Sequence, residues 1–171
     1  MGLGIELVRD SVEIPVKIKV NEIMLTEIDH IAIAVFDLEK AINFYKRAFG
    51  ATVDHREVVE RDGVEEALLK VAESYIQLLS PTRDDSPVAK AREKRGEGLH
   101  HVGYRVADCG VALAAMIEAG ATPIDHEPRP GSRGTTVAFI HPKSAHGTLI
   151  ELVQEPSRCG HNVDLGLSSS R

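Results

Sequence analysis

The sequence predicts an α+β fold built from two tandem βαβββ modules, and an internal repeat is the observation that predicts it. Residues 75–79 (YIQLL) and 149–153 (LIELV) are short apolar runs, each with one oxygen-bearing side chain at its centre. Upstream, residues 28–35 (IDHIAIAV) match residues 99–106 (LHHVGYRV). Short apolar runs of this kind are typical of strands. Self-similarity at a fixed offset indicates a duplicated structural unit.

The first module is predicted to begin with a strand over residues 25–35. A helix should follow, because Asp37 is a good N-cap, Gly50 is a good stop, and apolar positions between them recur at helical spacing. Turn residues then separate three further segments that alternate like strands. These segments lie near residues 52–60, 64–71 and 75–79.

The second module repeats this plan after a charged linker helix. A strand is predicted over residues 99–106, and the next helix should begin after Asp108 and end before Gly120. The final strands are predicted near residues 135–140 and 148–153.

The repeat divides the chain into three parts. Residues 1–23 form an N-terminal extension, residues 24–154 form one domain, and residues 155–171 form a C-terminal tail without periodicity that we expect to be flexible. Within the domain, module one covers 24–80, the linker helix 81–97 and module two 98–154. Residues 12–20 of the extension alternate apolar and polar side chains, as a half-buried strand would.

Composition excludes several classes of protein. The apolar content of 43% can build a core, and no run approaches the apolar length of a membrane span. The N-terminus lacks the pattern of a secretory signal, so we expect a cytoplasmic protein. A net charge of −6 gives no general attraction to nucleic acid or an anionic membrane. Cys109 and Cys159 lack metal-type spacing and are expected to be free thiols.

The repeat also places four metal-ligand side chains in register. His30 matches His101, and Gln77 matches Glu151, with separations of 47 and 50 residues within the two pairs. A single histidine on an apolar strand is usually a hydrogen-bonded core residue. Four polar residues repeated in apolar strands instead indicate coordination, because burying each of them costs free energy unless it is paired. Imidazole nitrogens with oxygen donors and no thiolate suit Co, Zn, Ni, Mn or Fe.

His100 is a competing donor beside His101. The position that matches His100 in the first module is Asp29, so the repeat favours His101 as the ligand.

Glu66 is the candidate for proton transfer. It takes the place of an apolar Val137 in the repeat, so it is either a solvent-facing strand residue or a carboxylate placed on a cavity. Its neighbour Glu65 is the better candidate for the surface. We expect His55 and His126, which share a repeat position, to be surface histidines.

The loop between the predicted strands at residues 135–140 and 148–153 offers donors to a substrate. Lys143 and Ser144 suit a phosphate or a carboxylate.

At these residues the sequence resembles the vicinal oxygen chelate superfamily and, within it, the methylmalonyl-CoA epimerase family. The resemblance covers roughly residues 25–154. Its most specific elements are a His-His pair and a His-Pro-Lys segment, and the matching stretches are residues 28–35, 44–50, 98–102 and 139–152.

The resemblance implies a half-open curved sheet barrel around one divalent ion, most often Co²⁺ with Zn²⁺, Ni²⁺ or Mn²⁺ possible, in a homodimer. It implies an isomerase of propionate metabolism that interconverts (R)- and (S)-methylmalonyl-CoA through a metal-stabilised enolate. The metal ligands of the family match His30, Gln77, His101 and Glu151. Its proton-transfer glutamate matches Glu66, and Glu151 is the natural second base.

Two alternatives remain open. Glyoxalase I shares the four-ligand arrangement but acts on a glutathione hemithioacetal. A metal-free binding protein of the same superfamily would sequester a small molecule, although such proteins typically lose ligand residues. A dioxygenase is less favoured, because Gln77 supplies a fourth ligand where iron needs open positions.

Overall fold

The computed structural model describes residues 24–156. Within that range the chain forms three helices and eight strands. The helices are α1 (Leu38–Phe49), α2 (Pro87–Arg95) and α3 (Cys109–Glu118). The strands are β1 (Leu25–Ala34), β2 (Val53–Val59), β3 (Val64–Val71), β4 (Ser74–Pro81), β5 (Gly98–Val106), β6 (Arg129–Pro130), β7 (Thr136–Ile140) and β8 (Ile150–Gln154).

All eight strands belong to one mixed sheet that curls into a half-open barrel. The strand order is β2-β3-β4-β1-β5-β8-β7-β6. Strands β1 and β5 pair antiparallel at the centre, β1 pairs parallel with β4, and β5 pairs parallel with β8. The two modules are therefore related by a pseudo-twofold axis through the central pair, and the predicted α+β class with a curved sheet is confirmed.

Strand register brings the predicted donors together. Ala32 on β1 pairs with Gln77 on β4, and Gly103 on β5 pairs with Glu151 on β8. In both modules the oxygen-bearing residue thus lies opposite the position two residues after the predicted histidine ligand. Because side chains two apart share one face of a strand, each histidine and its oxygen donor lie on the same face of the sheet.

Helices α1 and α3 cover the other face of the sheet with equivalent apolar clusters. The cluster under α1 comprises Val35, Leu38, Ala67, Leu69 and Leu78. The cluster under α3 comprises Val106, Cys109, Ala112, Leu113, Ala138, Ile140 and Leu152. This arrangement leaves the concave face of the sheet free for polar side chains.

The caps expected for the helices are present. The Asp37 side chain accepts a hydrogen bond from the Lys40 backbone, and Asp108 accepts one from the Val111 backbone. Gly50 adopts a left-handed conformation (φ 69°) that ends α1. Both helices therefore begin and end close to the predicted residues.

The second module departs from the repeat at β6. This strand has two residues, whereas its counterpart β2 has seven. Pro123, Pro128 and Pro130 lie in this stretch. Because proline has no backbone N–H to donate, it weakens a strand ladder and confines pairing to a sheet edge.

Some predictions fall outside the described range. These are the N-terminal extension, including its expected strand over residues 12–20, the tail beyond residue 156, and Cys159. Cys109 is buried and forms no disulfide with any residue of the range 24–156.

None of the helices in residues 24–156 is both long and apolar enough to cross a membrane.

Candidate metal centre and active site

Three buried side chains converge at the concave face of the sheet. The Nε2 atoms of His30 and His101 are 3.0 Å apart, and Glu151 Oε2 lies 3.0 Å from each of them. Ligand atoms about 2.1 Å from one cation and at right angles to each other lie roughly 3.0 Å apart. The three atoms therefore have the spacing of neighbouring ligands on a single divalent cation.

Gln77 lines the same cavity as these donors. Its Nε2 donates a hydrogen bond of 2.7 Å to Glu66 Oε2, while its buried Oε1 has no hydrogen-bond partner among residues 24–156. A buried amide oxygen without a partner costs free energy. This oxygen is therefore available as a fourth ligand, although the role of Gln77 stays a prediction.

Asp29 and His100 lie directly behind the two histidines. The Nδ1 atom of His30 is 2.8 Å from Asp29 Oδ1, and the Nδ1 atom of His101 is 2.8 Å from the Nδ1 atom of His100. His101, rather than His100, therefore presents its Nε2 to the other donors, as the repeat favoured.

His30 favours the protonated, charged form, whereas His101 favours the neutral form. Burial alone would lower the pKa of His30, but hydrogen bonds to Asp29 and Glu151 raise it to about 9. Burial lowers the pKa of His101, and it lowers the pKa of His100 to about 3.

The carboxylates of Asp29 and Glu151 both stay ionised. Burial alone would raise the pKa of Asp29, but the hydrogen bond with His30 and the charge of Arg133 lower it to about 2. Hydrogen bonds with the two histidines likewise outweigh burial and lower the pKa of Glu151. An ionised carboxylate between two imidazoles is a favourable environment for a cation.

Glu66 is buried on β3 and lines the same cavity, so it is not a solvent-facing strand residue. Its Oε2 accepts from Gln77, and its Oε1 is buried with no hydrogen-bond partner in the described part of the chain. Burial raises the pKa of Glu66, and the negative charges of Glu151 and Glu57 add to this effect, while the nearby Ser132 hydroxyl opposes it. A carboxylate with a raised pKa is a better general base.

The equivalence of Glu66 and Val137 holds in the sheet. Glu66 pairs with Leu79, two residues after Gln77, and Val137 pairs with Val153, two residues after Glu151. The first module therefore carries a carboxylate where the second carries an apolar side chain.

The donors and Glu66 share a cavity of about 160 Å³. Apolar side chains form much of its wall, and Arg129, Ser132 and Arg133 add polar groups. Such a cavity can exclude water from a reacting carbon while its polar groups orient a ligand.

The structure does not bring Lys143 and Ser144 into this cavity. Both are exposed on a 3-10 turn, Pro142–Ser144. Ser144 Oγ accepts a hydrogen bond from the Thr122 backbone and donates one to the His141 carbonyl, so this hydroxyl also holds its loop in place.

Sequence reasoning missed several residues around the site. His55 was expected at the surface but is only half exposed, and with Glu57 and Glu66 it forms a second group of donor atoms that lie within 4.8 Å of one another. The part played by Asp29 was also missed. The sequence signal for this role was the position of Asp29 immediately before His30, which the repeat matches to the position of His100 immediately before His101.

The fold and the donor set define a class of proteins. The family model described as Glyoxalase/Bleomycin resistance/Dioxygenase superfamily matches residues 29–139, and the chain belongs to this superfamily. Within it, the chain belongs to the methylmalonyl-CoA epimerase family, because relatives of that name match over nearly their whole length.

Three relatives illustrate the match. An ethylmalonyl-CoA/methylmalonyl-CoA epimerase from Cereibacter sphaeroides is 38% identical over 133 residues, which is 77% of this chain and 99% of the relative. A solved methylmalonyl-CoA epimerase in complex with methylmalonyl-CoA and NH4+ is 45% identical, with a TM-score of 0.75 over 78% of this chain and 96% of that one. A variant of the Streptomyces coelicolor methylmalonyl-CoA epimerase in complex with 2-nitronate-propionyl-CoA is 44% identical, with a TM-score of 0.76 over 78% of this chain and 99% of that one.

Proposed function

We propose that this chain is a methylmalonyl-CoA epimerase, an isomerase that interconverts the (R) and (S) epimers by exchanging the proton at C2. One observation carries the proposal. Glu66, a buried carboxylate with one free oxygen, lines the same cavity as the clustered donor atoms of His30, His101 and Glu151. A base and a cation site in one water-excluding cavity are what removal of a weakly acidic C–H proton requires.

The donor set fits a divalent cation, and we propose His30, Gln77, His101 and Glu151 as its ligands. Nitrogen and carboxylate donors at 3.0 Å spacing, together with the unpartnered Gln77 oxygen, support this assignment. We propose Co²⁺ as the ion, with Zn²⁺, Ni²⁺ and Mn²⁺ as alternatives. When bound, the cation supplies a Lewis acid that stabilises negative charge on the oxygens next to C2.

Glu66 acts as the base on one face of the substrate. Its raised pKa lets it hold a proton taken from C2, and the hydrogen bond from Gln77 fixes the orientation of its carboxylate. Epimerisation also needs proton transfer on the opposite face, and we propose Glu151 for it. Because its pKa is lowered, Glu151 is ionised at rest, so it must first take a proton from solvent before it gives one to C2, and the proton that Glu66 has taken returns to solvent.

The CoA portion must lie outside the small cavity. We retain Lys143 and Ser144 as candidate contacts for its phosphates, because exposed ammonium and hydroxyl donors suit phosphate oxygens.

We further propose a homodimer that works in the cytoplasm in propionate metabolism. Helix α1 leaves Phe44 and Phe49 exposed at 54% and 70%, and an aromatic surface of this kind is stabilised by a partner. Light scattering after size exclusion should give twice the mass of one chain, and a monomer mass would contradict the dimer.

Deuterium wash-in tests the function. The protein loaded with Co²⁺, incubated with (R)-methylmalonyl-CoA in D₂O, should exchange the C2 hydrogen and produce both epimers. A chelator should stop exchange and added Co²⁺ should restore it. Ethylmalonyl-CoA is the second substrate to assay, because the Cereibacter relative carries that name.

Two outcomes would overturn the proposal. Isomerisation of the hemithioacetal of methylglyoxal and glutathione, without exchange in methylmalonyl-CoA, would identify a glyoxalase I. Binding of methylmalonyl-CoA without any exchange by the metal-loaded protein would identify a binding protein.

A further inference from the structure

Two β-bulges at the centre of the sheet lie next to the two histidines. Between β1 and β5, Ile28 pairs with Tyr104 and His30 with Gly103, so Asp29 is an extra residue on β1. Farther along, Ala32 pairs with His101 and Ile33 with Leu99, so His100 is an extra residue on β5. A bulge re-aims the side chain of the extra residue. Each bulge therefore lies immediately before a proposed ligand.

The bulges explain a contact that a regular strand would not allow. Neighbouring side chains on a regular strand point to opposite faces. Here Asp29 Oδ1 instead lies 2.8 Å from the Nδ1 atom of His30, and the Nδ1 atom of His100 lies 2.8 Å from that of His101. Both bulge residues are buried. The same backbone device thus precedes the proposed histidine ligand in each module.

We propose that Asp29 and His100 are positioning residues that hold the Nδ1–H of the following histidine, so that its Nε2 presents a lone pair to the cation. A neutral imidazole has one donor nitrogen and one acceptor nitrogen, and the partner of one nitrogen decides which it is. When Nδ1 carries the proton, Nε2 keeps its lone pair for a cation. The Nε2 atoms of His30 and His101 lie 3.0 Å from each other and from Glu151 Oε2. This inference rests on the proposed cation site.

The hydrogen bond between Asp29 and its histidine should be stronger than the one between His100 and His101. Asp29 is charged and is itself held by Arg105 and Arg133, whose Nη2 atoms lie 2.9 Å and 2.8 Å from its oxygens. Its bond to His30 is therefore charge-assisted, which makes it stronger than a bond between neutral groups. His100 offers one neutral nitrogen to His101. Loss of the Asp29 charge should weaken cation binding more than a conservative change at His100.

Cation affinity tests the inference directly. Co²⁺ is titrated into the metal-free full chain against a chromophoric chelator, and the visible spectrum of the bound Co²⁺ is recorded. His100→Leu removes the acceptor and should raise the Kd for Co²⁺ by about 10- to 100-fold and change the spectrum. His100→Gln keeps an acceptor oxygen and should recover most of the affinity. Replacement of the exposed His126 by Leu is the matched control and should change neither quantity.

Asp29→Asn is the second variant for the Co²⁺ titration. It removes the charge while keeping an oxygen of similar reach, and a rise in Kd of about 10- to 100-fold is expected, at the upper end of that range. Circular dichroism of each metal-free variant checks folding. Because this change also leaves two arginines without their buried partner, the His100 pair decides the outcome if Asp29→Asn unfolds.

The failures are distinguishable. If the parent binds no Co²⁺, the cation site of the proposed function is wrong and this inference falls with it. If the parent binds one Co²⁺ but folded His100→Leu binds it equally tightly with the same spectrum, only the positioning role is wrong. Equal losses in His100→Leu and His100→Gln would also contradict it, because the acceptor would then not matter.

Discussion

The two modules place equivalent side chains at equivalent points of the sheet but give them different chemistry. Module one carries the neutral amide of Gln77 and the free carboxylate of Glu66, whereas module two carries Glu151 and the apolar Val137 at the matching positions. Duplication therefore accounts for where the polar groups lie. The residues that differ between the halves give module one the candidate base Glu66 at a position where module two is apolar.

A second difference lies where the modules meet. His30 on β1 is opposite Gly103, and His101 on β5 is opposite Ala32. A Cβ atom on Gly103 would lie 2.3 Å from Cε1 of His30, which is far inside van der Waals contact. The His30 ring therefore requires a glycine beneath it, while the His101 ring tolerates an alanine.

The largest expected effect on the epimerisation rate comes from neutralising Glu66, the carboxylate that module two lacks at the matching position. Glu66→Gln should slow epimerisation by about 10²- to 10⁴-fold, because the base is lost, while Co²⁺ affinity stays close to that of the parent. Deuterium exchange and metal titration on the same preparation measure both.

Glu65→Gln is the matched control, since Glu65 is the sequence neighbour and forms an ion pair with Arg56 away from the cavity. It should keep near-parent activity. If Glu66→Gln kept more than a tenth of the activity, another group would be the base.

A reciprocal pair of changes tests the contact between the modules. Gly103→Ala should displace the His30 ring, lower the free energy of unfolding by about 1–3 kcal/mol and weaken Co²⁺ binding. Ala32→Gly removes one methyl group and adds no clash, so it should cost about 1 kcal/mol and leave Co²⁺ affinity unchanged. Denaturant unfolding and metal titration would contradict the account if the two variants behaved alike.

The pH dependence of the metal-free protein separates the two histidines. The pKa of His30 is raised to about 9, so the folded state holds a proton that the unfolded chain releases near its ordinary value of 6.5. The stabilisation is complete below pH 6.5 and is lost as the pH rises through about 9. The free energy of unfolding should therefore fall by about 3 kcal/mol across that interval, since each pKa unit corresponds to about 1.4 kcal/mol.

His30→Gln should flatten this dependence, whereas His101→Gln should not, because the pKa of His101 is lowered instead. An unchanged profile in His30→Gln would show that another group titrates.

The smallest effect concerns the first residues of the two covering helices. Leu38 begins α1 and Cys109 begins α3, and both are buried. Burial raises the pKa of the Cys109 thiol to about 11, with the charge of Asp108 adding to it, although a helix N-terminus by itself favours a thiolate. In a Cys159→Ser variant, the remaining thiol should not react with a disulfide reagent at pH 8 until the protein unfolds. Rapid reaction of the folded variant would contradict this burial.

The sequence predicted the repeat and the convergence of His30, Gln77, His101 and Glu151 on one cavity, and it offered Glu66 as a cavity residue, because each of these depends on local alternation and on the match between halves. The bulges at Asp29 and His100 could not be predicted in this way. They depend on how β1 and β5 pair across some 70 residues of chain, which no local pattern encodes. The βαβββ plan implied a strand at the place of β6, but no bounds were predicted for it, and its prolines explain why it is short.

Cation binding by one ligand variant from each module tests the central claim most directly. The parent should bind one Co²⁺ per chain, and His30→Ala and His101→Ala should each lose most of that binding, because both halves hold the same ion. If either single variant kept the affinity of the parent, or if the parent bound two ions that the variants removed one at a time, the two modules would not share a cation.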